Sequence, residues 1–339
     1  MKRTLLSAIL ATALVGISAA QTNRFLPVIG TGAGAQYQSM RAAGVLPSGK
    51  FLFNYVDLSG QDKIGIFDTT TELFTGSQAG NLVGYRVLNT DGATNVLLIN
   101  RNVVPNLYKW WDTTTDVITD ITPQAVGVLL SKAGDLEFYR TTPSGYVSAY
   151  AYNTATSTGA PLQSAAGTAS EVKAVTAGNQ AGFTATSSGG RRAALWAGTE
   201  ASHVNLHPTG FLNSEANGIS AGRQYGFART LAKVPNAGYW AGTAGSFVNL
   251  HQAAFTETRA SSGDGTYQAG SGIATNDAKW RVNIWKGTAA RRSIAMPGTY
   301  KTVDTSNNYV WAGGGKVWVA ATLYDGAKQG VGVWYYATF

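Results

Sequence analysis

No cysteine occurs in the 339 residues, which excludes disulfide staples, thiolate metal sites and cysteine nucleophiles. Histidine is scarce: only His203, His207 and His251 are present, so little is left for imidazole-based metal or acid/base chemistry. Charged residues make up 13% of the chain, about half of the ~25% usual in soluble domains. That shortage argues against amphipathic helices, whose solvent faces need lysine and glutamate. Glycine is abundant at 41 residues, and the 44% hydrophobic content suffices for a large core. The profile predicts many short strands joined by turns. Beyond residue 20 no run is long and apolar enough to span a bilayer.

Residues 1–20 read MKRTLLSAILATALVGISAA. Lys2 and Arg3 form a basic start, and the stretch from Leu5 to Ile17 is almost wholly small or apolar. Ser18 and Ala20 then stand at the small-residue positions before a cut ahead of Gln21. This is the pattern of a secretory signal peptide of bacterial type, with an apolar run shorter than the ~20 residues of a membrane span. The expectation is an exported chain (extracellular, periplasmic or at the cell surface) in which residues 21–339 form one domain with a net charge of +6.

A repeat runs through that domain. LWAGTEASHVNLHP from Leu195 and YWAGTAGSFVNLHQ from Tyr239 are offset by 44 residues, and IWKGTAARRSIAMP from Ile284 lies 45 further on. Weaker copies place an aromatic anchor at Phe67, Trp110, Tyr152, Trp196, Trp240, Trp285 and Trp334, with spacings of 42 to 49 residues. Glycine-centred turns at Gly49, Gly92, Gly134, Gly178, Gly222, Gly265 and Gly314 keep step with them, 18 or 20 residues ahead. A period of ~40–45 residues built from strands is that of a propeller blade. In the fifth repeat, EANGIS reads as inner strand a, QYGFA as b, AGYWAG as c and SFVNLH as outer strand d. The predicted fold is an all-β, seven-bladed propeller of four-stranded blades. The last repeat ends after strand c, and RFLPVIG (Arg24 to Gly30) is a lone strand ahead of the first. That segment is expected to supply the missing outer strand and close the ring. The strand-c aromatics are expected to be core between blades.

Over residues 190–290 the repeats resemble the extracellular HAF-type repeats of bacteria. The matching residues are Asn217, Gly218, Ile219, Ser220, Gly222, Gln224 and Gly226, followed by Trp240, Ala241 and Gly242. The resemblance implies a secreted repeat fold, and its motif carries no catalytic residues.

Other chemistry is thinly represented. His207 and His251 occupy one repeat position that Met296 fills in the next copy, so a structural role is expected. The string Gly218-Ile219-Ser220-Ala221-Gly222 fits G-x-S-x-G, but it spans the end of strand a and the a–b turn and so is no strand-to-helix nucleophile elbow. There is no phosphate loop or dinucleotide fingerprint, and no calcium loop. No cofactor and no metal site are expected. Ser262-Gly263-Asp264-Gly265 reads as the a–b turn of the sixth blade.

Charge position is more informative. Residues 21–190 carry a net charge of −1 and residues 191–339 a net charge of +7. Arg191, Arg192, Arg229, Lys233, Lys279 and Arg281 fall in predicted b–c loops, which open on one face of a propeller. Arg291 and Arg292 fall in a predicted c–d turn and so on the opposite face. A shared basic face would attract polyanions. In an exported protein these are acidic polysaccharide or another extracellular polyanion. Few aromatics interleave the bases, so no sequence-specific nucleic-acid binding is expected. The leading expectation is a non-catalytic binding or surface-interaction module. The alternative is a polysaccharide- or lactone-active enzyme with its site in the central funnel. Two or more carboxylates or histidines converging there would favour the enzyme.

Overall fold

The computed structural model describes residues 23–28, 37–76, 82–141, 147–162, 169–297, 300–326 and 328–336, with backbone alone for 23–28 and 328. The segment expected to be a signal peptide, residues 1–20, lies outside the described residues. The described chain forms seven four-stranded antiparallel sheets. Blades 1 to 6 cover residues 37–76, 86–121, 128–161, 169–205, 211–249 and 255–295 in order. Blade 7 takes its three inner strands from residues 302–336 and its outer strand from Asn23–Val28, which pairs antiparallel with Lys328–Tyr336. The N-terminal strand therefore closes the ring, as the repeat count requires.

The repeat motif follows from the crowding of seven inner strands around one axis. In blade 5, strand a is Phe211–Ser220 and strand b is Arg223–Thr230. The turn between them places Gly222 at φ +72°, a left-handed conformation that glycine adopts without strain. Gln224 is buried, and its side-chain oxygen accepts the Gly242 N–H at 3.0 Å, holding the c–d turn. Gln180 and Gln268 do the same for Gly198 and Gly287 at 2.7 and 3.0 Å. At Gly226 a Cβ would sit 1.9 Å from the carbonyl oxygen of Glu215 in strand a. A Cβ at Gly182 or Gly270 would meet the equivalent carbonyl just as closely. Each of these glycines lies beside a register shift in strand a, and the shift recurs in blades 1 to 6. Such a bulge lets a strand bend as it passes the axis.

Between blades the large aromatics act as wedges. Trp240 is fully buried against Ala181, Ala193 and Leu206 of blade 4. Trp196 and Trp285 repeat this packing one blade earlier and one later. In blade 2 the wedge is Trp111 and not Trp110. Strand pairing puts Trp111 opposite Val96, the place of Trp196 opposite Gln180. Trp110 points the other way and is only half-buried. Two adjacent tryptophans made the sequence register ambiguous by one residue, and a one-residue slip reverses the face. Strand d of blade 5 is also shorter than expected: Val248–Asn249, preceded by a 3-10 turn over Ala244–Ser246.

Hydroxyls stitch the blades together. Ala149, Ala193 and Ala237 in strand c each donate a backbone N–H at 2.9 Å to a strand-a hydroxyl of the next blade, from Ser170, Ser214 and Thr258. The close approach at Gly226 gives a direct check. Gly226→Ala should cost about 1–3 kcal/mol in chemical denaturation through overpacking. Gly178→Ala, on an exposed turn with open space around it, should stay within about 0.5 kcal/mol. Equal midpoints for the two variants would contradict the axial-crowding account.

Candidate functional site

The inner strands enclose a central cavity of about 900 Å³. It runs from the b–c end, lined by Arg41, Glu215, Arg229 and Arg259, to the a–b end, lined by Ser220, Asp264 and Trp311. Most of its remaining wall is small or neutral: Ala43, Thr90, Asn217, Ser261, Thr305 and their neighbours. Four cations line it (Arg41, Lys173, Arg229 and Arg259) against two carboxylates, Glu215 and Asp264. No histidine lines the cavity among the described residues.

The carboxylates at the b–c mouth are already engaged. The residue just before the strand-a bulge is charged in five blades: Arg41, Arg86, Glu171, Glu215 and Arg259 in blades 1, 2, 4, 5 and 6. Glu215 accepts from Arg191 of blade 4 at 2.9 Å. Glu171 accepts from Arg140 of blade 3 and from Lys173, both at 2.8 Å. Asp304 of blade 7 binds Arg41 of blade 1 at 3.3 Å and the Tyr324 hydroxyl at 2.9 Å. Asp62 of blade 1 binds Arg86 of blade 2 at 2.6 Å. These pairs clamp neighbouring blades at the mouth. Asp264 serves its own turn, accepting the N–H groups of Thr266 and Tyr267 at 2.9 and 2.8 Å. The described residues include no group of three or more His, Asp or Glu side chains placed to hold a metal ion.

The six bases singled out in the sequence all lie at the b–c ends of blades 4 to 6, in three different situations. Arg191 and Arg281 are in ion pairs, with Glu215 and with Asp277 at 2.5 Å. Arg191 also lies over the Phe183 ring at 4.4 Å. Arg229 lines the central cavity. Arg192, Lys233 and Lys279 are exposed and have no ion-pair partner among the described residues. The carboxylate that neutralises Arg191 comes from strand a of the next blade, and the one that neutralises Arg281 from its own loop. Arg291 and Arg292 need correction too. They lie in strand d of blade 6, Ala290–Ala295, and not in a c–d turn. The Arg291 guanidinium stacks on Phe255 at 4.4 Å. Sequence reasoning also missed Arg41 and Arg86, which share a cleft between blades 1 and 2 with the b–c loop base Arg101.

The histidines are structural. His207 Nδ1 meets Ser214 Oγ at 2.9 Å and its Nε2 meets the Phe211 carbonyl at 3.1 Å. The Phe211 carbonyl can only accept, so Nε2 carries the proton, and in the neutral ring Nδ1 accepts from the Ser214 hydroxyl, whose oxygen also accepts from Ala193 N–H. His251 makes the same contact with Thr258 at 3.0 Å. His203 packs on Trp196 with centroids 5.7 Å apart, the place Phe247 takes against Trp240.

No family model matches the chain, and no curated protein matches it. Solved structures do. The β-propeller domain of the Trilobed protease from Pyrococcus furiosus aligns with a TM-score of 0.55 at 8% identity, over 88% of this chain and 94% of that one. A prolyl endopeptidase aligns with a TM-score of 0.55 at 10% identity, over 88% of this chain and 50% of that one. The BP39L lectin from Burkholderia pseudomallei aligns at 0.50 and 13% identity, over 89% and 96%. The likeness is one of fold. The chain spans about half the length of the endopeptidase and of the Pyrococcus horikoshii acylaminoacyl peptidase it matches.

Burial holds the His207 and His251 imidazoles below their ordinary range, with Arg192 adding to the effect at His207. The unfolded chain then binds protons that the folded one refuses. Stability should be level above about pH 6.5, the free imidazole value, and fall as the pH drops below it. A His207→Gln/His251→Gln variant should show a shallower fall of thermal midpoint between pH 7 and 5. Parallel curves for the two proteins would contradict this assignment.

Proposed function

We propose that this protein is an exported, non-catalytic binding propeller that captures acidic polysaccharide on its b–c face. The observation that carries the reading is the mouth of the central cavity. Four cations line the cavity against two carboxylates, of which Asp264 sits at the far, a–b end. At the mouth Glu215 is held by Arg191, while Glu171 and Asp304 beside it are each held by an arginine as well. A carboxylate already clamped by a guanidinium has its oxygens engaged and is poorly placed to meet a substrate. The remaining wall offers hydroxyls and amides suited to hydrogen-bonding sugar. Arg192, Lys233 and Lys279 add exposed positive charge around the rim. The signal-like N-terminus and the HAF-type motif support an extracellular setting. A lectin among the structural neighbours is in keeping with a carbohydrate ligand. The competing reading, a polysaccharide- or lactone-active enzyme, requires convergent acid and base groups. None converge in the cavity among the described residues.

The test is retention on immobilised polygalacturonate eluted by a salt gradient. Charge-driven capture weakens as salt rises, because the Debye length shrinks from about 10 Å at 0.1 M to about 3 Å at 1 M. Replacing Arg192, Lys233 and Lys279 by alanine should move elution to clearly lower salt. The fold should survive, since exposed loop charges contribute at most about 1 kcal/mol each. Passage of the unaltered protein straight through the column at low salt, or equal retention on a neutral polysaccharide, would sink the proposal.

A further inference from the structure

A second, smaller cavity of about 250 Å³ opens between blades 1 and 2, next to the central one. Arg41, Leu88 and Tyr309 belong to both walls, so the two spaces adjoin. Three arginines line it, Arg41, Arg86 and Arg101, against one carboxylate, Asp62. Arg41 and Arg86 each use one terminal nitrogen in an ion pair, and their side chains remain 48% and 45% exposed. A guanidinium has five N–H donors, so each keeps donors for another acceptor. Arg101 is exposed and has no ion-pair partner among the described residues. Ser39 and Gln329 stand in the same wall. The Gln329 amide nitrogen donates to the Tyr324 hydroxyl at 3.2 Å, which leaves its oxygen as an acceptor.

We propose that this cleft is a subsite for one uronic-acid residue: Arg101, with the free edges of Arg41 and Arg86, takes the carboxylate, and Ser39 and Gln329 take ring hydroxyls. The inference rests on the reading of the b–c face as a surface for acidic polysaccharide, and it names the sugar class and the place. The volume lies below the ~300–1,000 Å³ of sites for larger ligands, which fits one sugar ring and not a chain. A guanidinium can meet a carboxylate with two parallel hydrogen bonds, which gives direction as well as charge. The adjoining central cavity leaves a path for the rest of the polymer. This subsite is remote in sequence from the bases of blades 4 to 6, so the two regions can be probed separately.

Arg86 is a poor target, because its loss would strand the buried carboxylate of Asp62. Arg101 carries the test. Calorimetric titrations at low salt would use galacturonate trisaccharide, the neutral galactose trisaccharide and inorganic sulfate. The trisaccharide acid should bind and the neutral one should not. Arg101→Ala should weaken the acid about tenfold or more, the usual effect of losing a charged hydrogen bond, with no change in thermal midpoint. Arg101→Lys should recover only part of the loss, because an ammonium cannot form the paired bonds. Unchanged affinity in Arg101→Ala, with polygalacturonate still retained, would overturn the cleft and leave the broader reading standing. Failure of the unaltered protein to bind either trisaccharide or polymer would overturn both. Sulfate binding as tightly as the galacturonate trisaccharide would overturn the uronate assignment.

Discussion

Seven inner strands must share one axis, and the rest of the structure depends on how that crowding is resolved. Where backbones approach most closely, no side chain is tolerated: Gly182, Gly226 and Gly270 face strand-a carbonyls at distances that leave no room for a Cβ. Many of the side chains that remain near the axis are small or neutral, and Arg41 and Glu215 there are paired across blade boundaries. Outward from the axis the sheets diverge, and the widening gap is filled by progressively larger groups, ending in Trp196, Trp240 and Trp285. Burial of these aromatics stabilises the ring, while the axial glycines and hydroxyl contacts set how tightly it can close.

The same crowding determines what the mouth can do chemically. An isolated charge there would face a partly desolvated space, so the inner strands carry carboxylates and guanidiniums that meet across blade boundaries. These contacts fix neighbouring blades and remove the carboxylates from acid/base duty. Guanidiniums outnumber their partners, and the surplus faces solvent and the cavities. A surface built this way is suited to holding an anion and ill suited to moving a proton.

Much of the architecture was legible in the sequence because blades 4 to 6 place equivalent residues in equivalent surroundings. Gly222, Gln224 and Gly226 recur at a fixed spacing because turn, cap and close approach recur in each blade. The strand that closes the ring was legible for a different reason: the last repeat lacked a partner that the N-terminal segment could supply. The wedge of blade 2 was misread by one position because Trp110 and Trp111 are adjacent, and only pairing with Val96 decides between them. The mouth was the least legible part. Arg191 and Glu215 are 24 residues apart and Arg41 and Asp304 are 263 apart, so no local pattern reports that they meet. Counting loop charges therefore found the basic residues and missed the neutralisation of Arg191. It also missed the cleft of Arg41, Arg86 and Arg101, whose members come from strand a of two blades and one loop.

The central claim is that the b–c face is an anion-holding surface. Crystals of the protein soaked in bromide, with data collected at the bromine absorption edge, would map it directly. Anomalous peaks should concentrate in the cleft of Arg41, Arg86 and Arg101 and around the mouth of the central cavity. Peaks confined to the a–b face, or scattered evenly over exposed lysines and arginines, would contradict the account.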